Sequence, residues 1–255
     1  MADELEQYLA TLERDQGYRV ERVLKTGDSE TTEVVVADEG PYSGKPLIRK
    51  RFKAESGLGS AYTRIWEAQQ QGATFLHVPR IVDFYSTCRE LVVVSEYASG
   101  ETLTDVIYRL DPSIELAVDV FPRLCDAVAE LHECFDSPLI HRDLKPSNIV
   151  LSYGALKLID FGIARSYTEG ADSDTHQFGT RAYAPPEQFG YGQTDERSDI
   201  YALGMILYYC LTERTPDAQA REASWHDGRI PEPLRAVIEQ AASFDPRSDT
   251  AAQPN

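Results

Sequence analysis

The chain has 255 residues, 42% of them hydrophobic, with 25 basic against 42 acidic side chains and a formal net charge of −17. That length can bury one sizeable core or two small lobes sharing a cleft. The acidity repels polyanions and argues against nucleic acid or an anionic membrane surface as a main partner.

Residues 3–15 read as a short polar helix. After Gly17, runs of β-branched and apolar residues predict strands over 18–24, 32–37 and 46–52, with turns at Thr26-Gly27-Asp28-Ser29 and Asp38-Glu39-Gly40. A helix is expected over 60–71, ended by Gly72. Residues 81–86 and 91–97 then form a hairpin joined by Thr87-Cys88-Arg89-Glu90. Past Gly100 the pattern turns helical. Asp111 reads as a cap and Pro112 as the first helical position. That helix carries Val120, Phe121, Leu124, Val128 and Leu131 on one face, and Pro122 bends it or lies early in it. Two short strands are expected around 149–151 and 156–159, then a polar loop and an apolar core helix over 200–211, too short to cross a bilayer. Strands first and helices later predict an α+β fold of two lobes. The expected division is an extension over 1–17, a β-rich lobe over 18–97, a helical lobe over 98–246 and a polar tail over 247–255.

Four cysteines (Cys88, Cys125, Cys134 and Cys210) show no Cys-x-x-Cys pair, and no histidine stands at metal-ligand spacing. They read as reduced, mostly buried thiols. The start lacks the basic and apolar regions of a signal peptide, so a cytoplasmic chain is expected.

Chemistry concentrates in His141-Arg142-Asp143-Leu144-Lys145-Pro146-Ser147-Asn148. One short loop there presents a carboxylate (Asp143), an ammonium (Lys145) and an amide oxygen (Asn148). Asp160-Phe161-Gly162 follows an apolar strand, which lets the Asp160 carboxylate point into a cleft and hold Mg²⁺, a hard ion that prefers oxygen ligands. Together these groups suit phosphoryl transfer, which asks for a carboxylate on the attacking hydroxyl, cations on the phosphates and in-line placement. His141 reads as a packed structural residue.

These residues resemble the eukaryotic-type Ser/Thr protein kinase signature, and further marks agree in order and spacing from about residue 18 to 246. The resemblance implies a bilobal kinase fold using ATP with Mg²⁺ or Mn²⁺. It makes Asp143 the catalytic base, with Lys145 beside the transferred phosphate and Asn148 and Asp160 on the metal. Lys50 becomes the strand lysine on the α- and β-phosphates. Strand alternation supports this, because it puts Lys50 on the face opposite Arg49 and Arg51. Glu67 is the helix glutamate expected to pair with Lys50, with Glu55 as the alternative. Leu24, Gly27 and Val34 line the nucleotide, Glu96-Tyr97-Ala98 is the adenine hinge, and Ser95 stands behind it. Gly179-Thr180-Arg181-Ala182-Tyr183-Ala184-Pro185-Pro186-Glu187 resembles the peptide-substrate loop, and Asp199 the buried aspartate that pins the catalytic loop. Lys145-Pro146 and Thr180 imply serine and threonine acceptors on protein substrates. Arg142 would receive a phosphate or acidic group from the loop carrying Ser166, Thr168, Ser173 and Thr175, so autophosphorylation is implied. A monomer or weak dimer is expected.

The sequence also departs from the family. Residues 24–34 hold one glycine where the pattern has three, with Asp28, Glu30 and Glu33 around it. Fewer glycines mean less close backbone approach, and the acids repel phosphates. Pro185 replaces an alanine, Asp249 stands where an arginine is expected, and the last family helix looks absent. The alternative is therefore a pseudokinase or scaffold with weak or absent turnover.

Overall fold

A computed structural model of the chain describes residues 2–87, 89–166, 182–185 and 194–243. It divides into two compact units, Met1–Ser99 and Gly100–Asn255. The first is mainly β-sheet and the second mainly helical, the α+β arrangement the sequence predicts.

The first unit begins with α1 (Ala2–Gln16). Strands β1 (Tyr18–Thr26), β2 (Glu30–Ala37), β3 (Pro46–Lys53), β4 (Ile81–Ser86) and β5 (Glu90–Glu96) form an antiparallel sheet in the order β1-β2-β3-β5-β4. Helix α2 (Ser60–Gln70) joins β3 to β4. Period-2 alternation gives the sheet two distinct faces. On one face Val35, Ala37, Leu47 and Val94 make a buried apolar cluster, with Tyr18, Tyr42 and Val82 against it. Thr32, Val34, Ile48, Lys50, Phe52 and Val93 occupy the other, as the pairs Thr32–Lys50, Val34–Ile48 and Lys50–Val93 require. Helix α2 covers this second face through Tyr62 on Phe52 (ring centroids 5.7 Å) and Trp66 stacked on Phe84 (6.0 Å). Gly59 precedes α2 at φ +81°, where a Cβ would come within 2.9 Å of Phe52, so this close entry requires glycine.

The end of α1 is tied to the first face by charge. Arg51 Nη2 donates to both oxygens of Asp15 at 2.6 and 2.7 Å, and the Tyr85 hydroxyl donates to Asp15 at 2.6 Å. Arg49, also within reach of Asp15, pairs with Glu33 at 2.8 Å. Arg14 binds Asp83 through two nitrogens, and the Tyr18 hydroxyl donates to the same carboxylate at 2.9 Å. Burial alone pushes the Asp15 carboxyl up. The Tyr85 hydroxyl and the Arg51 guanidinium outweigh it and hold the carboxyl below its ordinary 3.8. A carboxyl depressed by folding stabilises the fold above its unfolded value, and that contribution is lost as pH falls through the folded value. Asp15→Asn is therefore expected to cost about 2 kcal/mol of stability at pH 7, the scale of hydrogen bonds to a charged group. In urea unfolding the gap between variant and parent should close as the pH is lowered below 3.8. A gap unchanged at low pH would contradict this account of α1 docking.

The second unit opens with β6 (Glu101–Thr102) and α3 (Leu103–Leu110), a helix not anticipated from the sequence. Thr102 caps α3: its hydroxyl accepts from the Asp105 amide, and the Asp105 carboxylate accepts in turn from the Thr102 amide. Asp111 ends α3 at φ +60° and does not start the next helix. Helix α4 (Ile114–Glu133) begins after Ser113, whose hydroxyl accepts from the Leu116 amide at 3.2 Å. The expected start was therefore two residues early. Pro122 lies well inside α4, where its missing N–H leaves the Val118 carbonyl without a helix bond, and Val118 is exposed to water. Strand β7 (Leu139–Ile140) pairs with β10 (Arg165–Ser166), while β8 (Ile149–Ser152) and β9 (Ala155–Leu158) form a hairpin beside β6.

Helix α5 (Glu196–Thr212) is the centre of this unit, with 13 buried residues distributed all round it, as its apolar composition predicts. Gly204 allows α5 to meet α7 (Glu232–Ala242) closely, since a Cβ there would stand 2.6 Å from that of Ala241. A five-residue helix, α6 (Ala218–Glu222), lies between them. Among the described residues, no helix is long and apolar enough to cross a membrane. Of the described cysteines only Cys210 is buried. Cys125 is half-buried and Cys134 exposed, so the expectation of mostly buried thiols fails. Burial pushes the Cys210 thiol up to about 12.

Candidate active site

In the second unit, the chain between β7 and β8 carries His141 to Asn148. Arg142 adopts φ +66°, an uncommon left-handed turn for a residue with a side chain. The turn aims two successive amides at one carboxylate. His141 N–H donates to Asp199 Oδ2 at 2.9 Å and Arg142 N–H to Asp199 Oδ1 at 3.1 Å. Asp199 belongs to the first turns of α5 and is 1% exposed. Its Oδ2 also meets His132 Nε2 from α4 at 2.9 Å. One buried carboxylate thus joins two helices to the loop. Buried charge is tolerable there because hydrogen-bond donors surround it.

His141 is fully buried, its ring 4.9 Å from that of Phe161. Its Nδ1 accepts from the Asp143 amide at 3.4 Å, which puts the proton on Nε2, and Nε2 donates to the Ile159 carbonyl at 3.2 Å. The imidazole therefore braces two loop segments.

Asp143, Lys145 and Asn148 are brought together. Lys145 Nζ stands 2.5 Å from Asp143 Oδ2, and Asn148 Nδ2 donates to the Asp143 carbonyl at 2.9 Å and to Oδ2 at 3.1 Å. Pro146 and Asn148 form a single 3₁₀ turn, closed by the Asn148 amide on the Lys145 carbonyl at 2.9 Å. The three groups are held by local backbone geometry, which explains their close spacing in sequence.

Asp160 reaches the same region through the β8–β9 hairpin. Ile149 pairs with Leu158, so the residue before β8 and those after β9 end side by side, and the Ile159 amide donates to the Asn148 carbonyl at 2.9 Å. Asp160 itself is left-handed at φ +69°, a strained conformation of the kind that clusters at functional sites. The donor set fits a hard divalent ion. Asn148 spends its amide nitrogen on Asp143, and among the described residues its Oδ1 accepts no hydrogen bond. An amide oxygen and a carboxylate are the ligand types magnesium takes when phosphates and water complete its shell.

In the first unit, Lys50 is buried at 7% exposure on the α2 face of the sheet, opposite Arg49 and Arg51, as alternation predicts. A described carboxylate contact of Lys50 is one the sequence did not single out for it. Lys50 Nζ pairs with Glu30 Oε1 of β2 at 2.8 Å. Glu67 faces solvent and makes no ion pair among the described residues, because the buried side of α2 is set by Ala61, Tyr62 and Ile65. Two residues beyond Ile65 is about 200° around a helix, which turns Glu67 away from the sheet. Glu55 is exposed too. Leu24 lies where the β1–β2 register shifts between Val23 and Lys25, and is about half exposed. The Gly27 amide donates to the Glu30 carbonyl at 2.8 Å, closing the turn, and Val34 is buried on the Lys50 face. Ser95 pairs with Ile48, Glu96 ends β5 with its amide on the Arg80 carbonyl at 2.9 Å, and Tyr97 and Ala98 follow.

Tyr183, Ala184 and Pro185 are buried, with Tyr183 edge-on to Tyr209 at 6.4 Å. Thr168, Ser173, Thr175, Gly179, Thr180, Arg181, Pro186, Glu187 and Asp249 lie outside the described residues, as do Cys88 and the side chain of Ser166. His132 and Glu30 were missed as site residues from sequence. The only signal for either was a lone histidine ending an apolar helix and an acid beside a poor glycine turn.

A β-rich unit carrying a buried strand lysine, and a helical unit whose loop from His141 to Asn148 hangs from a buried helix aspartate, are features of the protein kinase class. The chain belongs to that family, in its bacterial serine/threonine branch: the protein kinase domain model matches residues 44–251. It is 34% identical over 232 residues to the serine/threonine-protein kinase PknB of Mycobacterium tuberculosis, covering 80% of this chain and 37% of that protein. It is 30% identical over 212 residues to serine/threonine-protein kinase PrkC of Bacillus subtilis, covering 74% and 32% respectively. For serine/threonine-protein kinase A of Synechocystis the figures are 32% over 183 residues, 67% and 33%. The chain thus spans about a third of the length of these relatives.

Proposed function

We propose that this chain transfers the γ-phosphoryl group of ATP to serine or threonine hydroxyls of proteins, itself among them. The observation that carries this reading is the loop in which Asp143, Lys145 and Asn148 meet within 3.1 Å. In the reaction the acceptor oxygen bonds to the γ-phosphorus, the bond to the departing ADP breaks, and the hydroxyl proton passes to the Asp143 carboxylate. Lys145 sits against that carboxylate and supplies positive charge where the transferred group gathers negative charge. Lys50 grips the α- and β-phosphates. Asn148 and Asp160 would hold magnesium or manganese, which when bound neutralises phosphate charge. Leu24, Gly27, Val34 and the Glu96 to Ala98 segment contact the nucleotide. The Ser/Thr preference rests on Lys145-Pro146 and on the named activities of the relatives.

A second reading, a pseudokinase that binds partners without turnover, is favoured by one observation: Lys50 is held by Glu30 while Glu67 faces solvent. Incubation with γ-labelled ATP, magnesium and a basic acceptor protein separates the two. Label on phosphoserine or phosphothreonine is expected. A protein that binds ATP and leaves no label on any acceptor, or on itself, belongs to the second class.

A further inference from the structure

The turn at residues 26–29 stands where the family pattern places its glycine loop, and the first residue after it is the acidic Glu30. Lys50, Thr32 and Lys25 all donate to its carboxylate. Lys50 Nζ reaches Oε1 at 2.8 Å, the Thr32 hydroxyl reaches the same oxygen at 3.1 Å, and Lys25 Nζ reaches Oε2 at 2.7 Å. The side chains of both Glu30 and Lys50 are about nine-tenths buried. Strand register explains the convergence. Thr32 pairs with Lys50 and Glu30 with Phe52, so Glu30, Thr32 and Lys50 share one face, and Lys25 comes from β1 opposite Thr32. Two ammonium groups and a hydroxyl around one small oxyanion form the donor set that a phosphate group meets.

We infer that Glu30 is an internal anion seated in the phosphate subsite of Lys50, and that it sets the nucleotide affinity of this chain by competing with the phosphates. The inference rests on the reading of Lys50 as a phosphate ligand. Lysine has three donors and can turn toward a phosphate, but Glu30 then remains as a like charge a few ångströms from the nucleotide. Its effect must grow with the number of phosphates and vanish for a ligand that has none. That dependence separates competition from a brace that merely shapes the hairpin.

The test is direct binding of adenosine, ADP and Mg-ATP to the parent and to Glu30→Gln, measured by calorimetry. Glu30→Gln keeps the size of the side chain and removes its charge. The expected result is about tenfold tighter ATP binding, a smaller gain for ADP and none for adenosine, the scale of one screened charge pair. Unchanged or weaker ATP binding, or a gain shared equally by adenosine, overturns the inference. Should the variant fold poorly, Glu30→Asp decides by the same readout, since the shorter arm draws the charge back from Lys50 and must give an intermediate gain. A parent protein that binds adenosine but discriminates against no phosphate leaves the kinase reading standing and removes this one. A parent that binds none of the three removes both.

Discussion

Asp143→Asn is expected to reduce phosphate transfer by about 10²–10⁴, the range that a positioned base contributes. Asparagine has nearly the same size and keeps an oxygen for the Lys145 ammonium, now 2.5 Å from Asp143 Oδ2. It cannot take the hydroxyl proton. Folding should therefore be preserved, with a thermal midpoint within about 3 °C of the parent, a change of about 1 kcal/mol or less for a chain of this size. ATP affinity should be unchanged, because in the proposed reaction Asp143 acts on the acceptor and not on the nucleotide. The measurement is labelled-phosphate incorporation beside calorimetric ATP binding. Parent-level incorporation would remove Asp143 from its role, and lost ATP binding would mean that it serves the nucleotide instead.

Asp199→Ala should have the largest effect on stability. It leaves the His141 and Arg142 amides and His132 Nε2 without the acceptor they share at 2.9 to 3.1 Å. Removing one partner of a buried charged network costs about 3–5 kcal/mol, since the orphaned donors keep their desolvation penalty. Urea unfolding should show that loss. Hydrogen exchange gives a sharper reading: the amides of residues 141 and 142 should lose protection first, and phosphate transfer should fall with them as the loop loosens. If those two amides exchange at the parent rate, Asp199 does not hold the loop, whatever the variant does to global stability.

Some of this was legible in the sequence because it is local. Asp143, Lys145 and Asn148 lie within six residues, and a 3₁₀ turn after Lys145 brings Asn148 back to Asp143, so their spacing already implied their meeting. The face of Lys50 followed from alternation, which has a period of two and admits no intermediate answer. Helix starts were harder. Asp111-Pro112 has the chemistry of a cap and first turn, yet Ser113 is the cap and Asp111 ends the helix before it. Adjacent helices share one set of stop and start residues, and sequence does not say which element each one serves. Helix α3 escaped because its eight residues are fewer than the periodicity needs to stand out, although Thr102 and Asp105 had the right spacing for a reciprocal cap.

The amino-acid order alone determined the family, the strands-first order of the fold and the meeting of Asp143, Lys145 and Asn148, because motif residues a few bonds apart constrain one another directly. Which carboxylate meets Lys50 was decided by the tertiary structure. Glu30 and Glu67 are both acids within reach in principle, and the choice depends on the rotational phase of α2 against the sheet and on the β2–β3 register. Likewise His132 joins Asp199 only because α4 packs against α5, 67 positions further along the chain. Such contacts arise from the burial of whole apolar faces, which no single residue or short motif encodes.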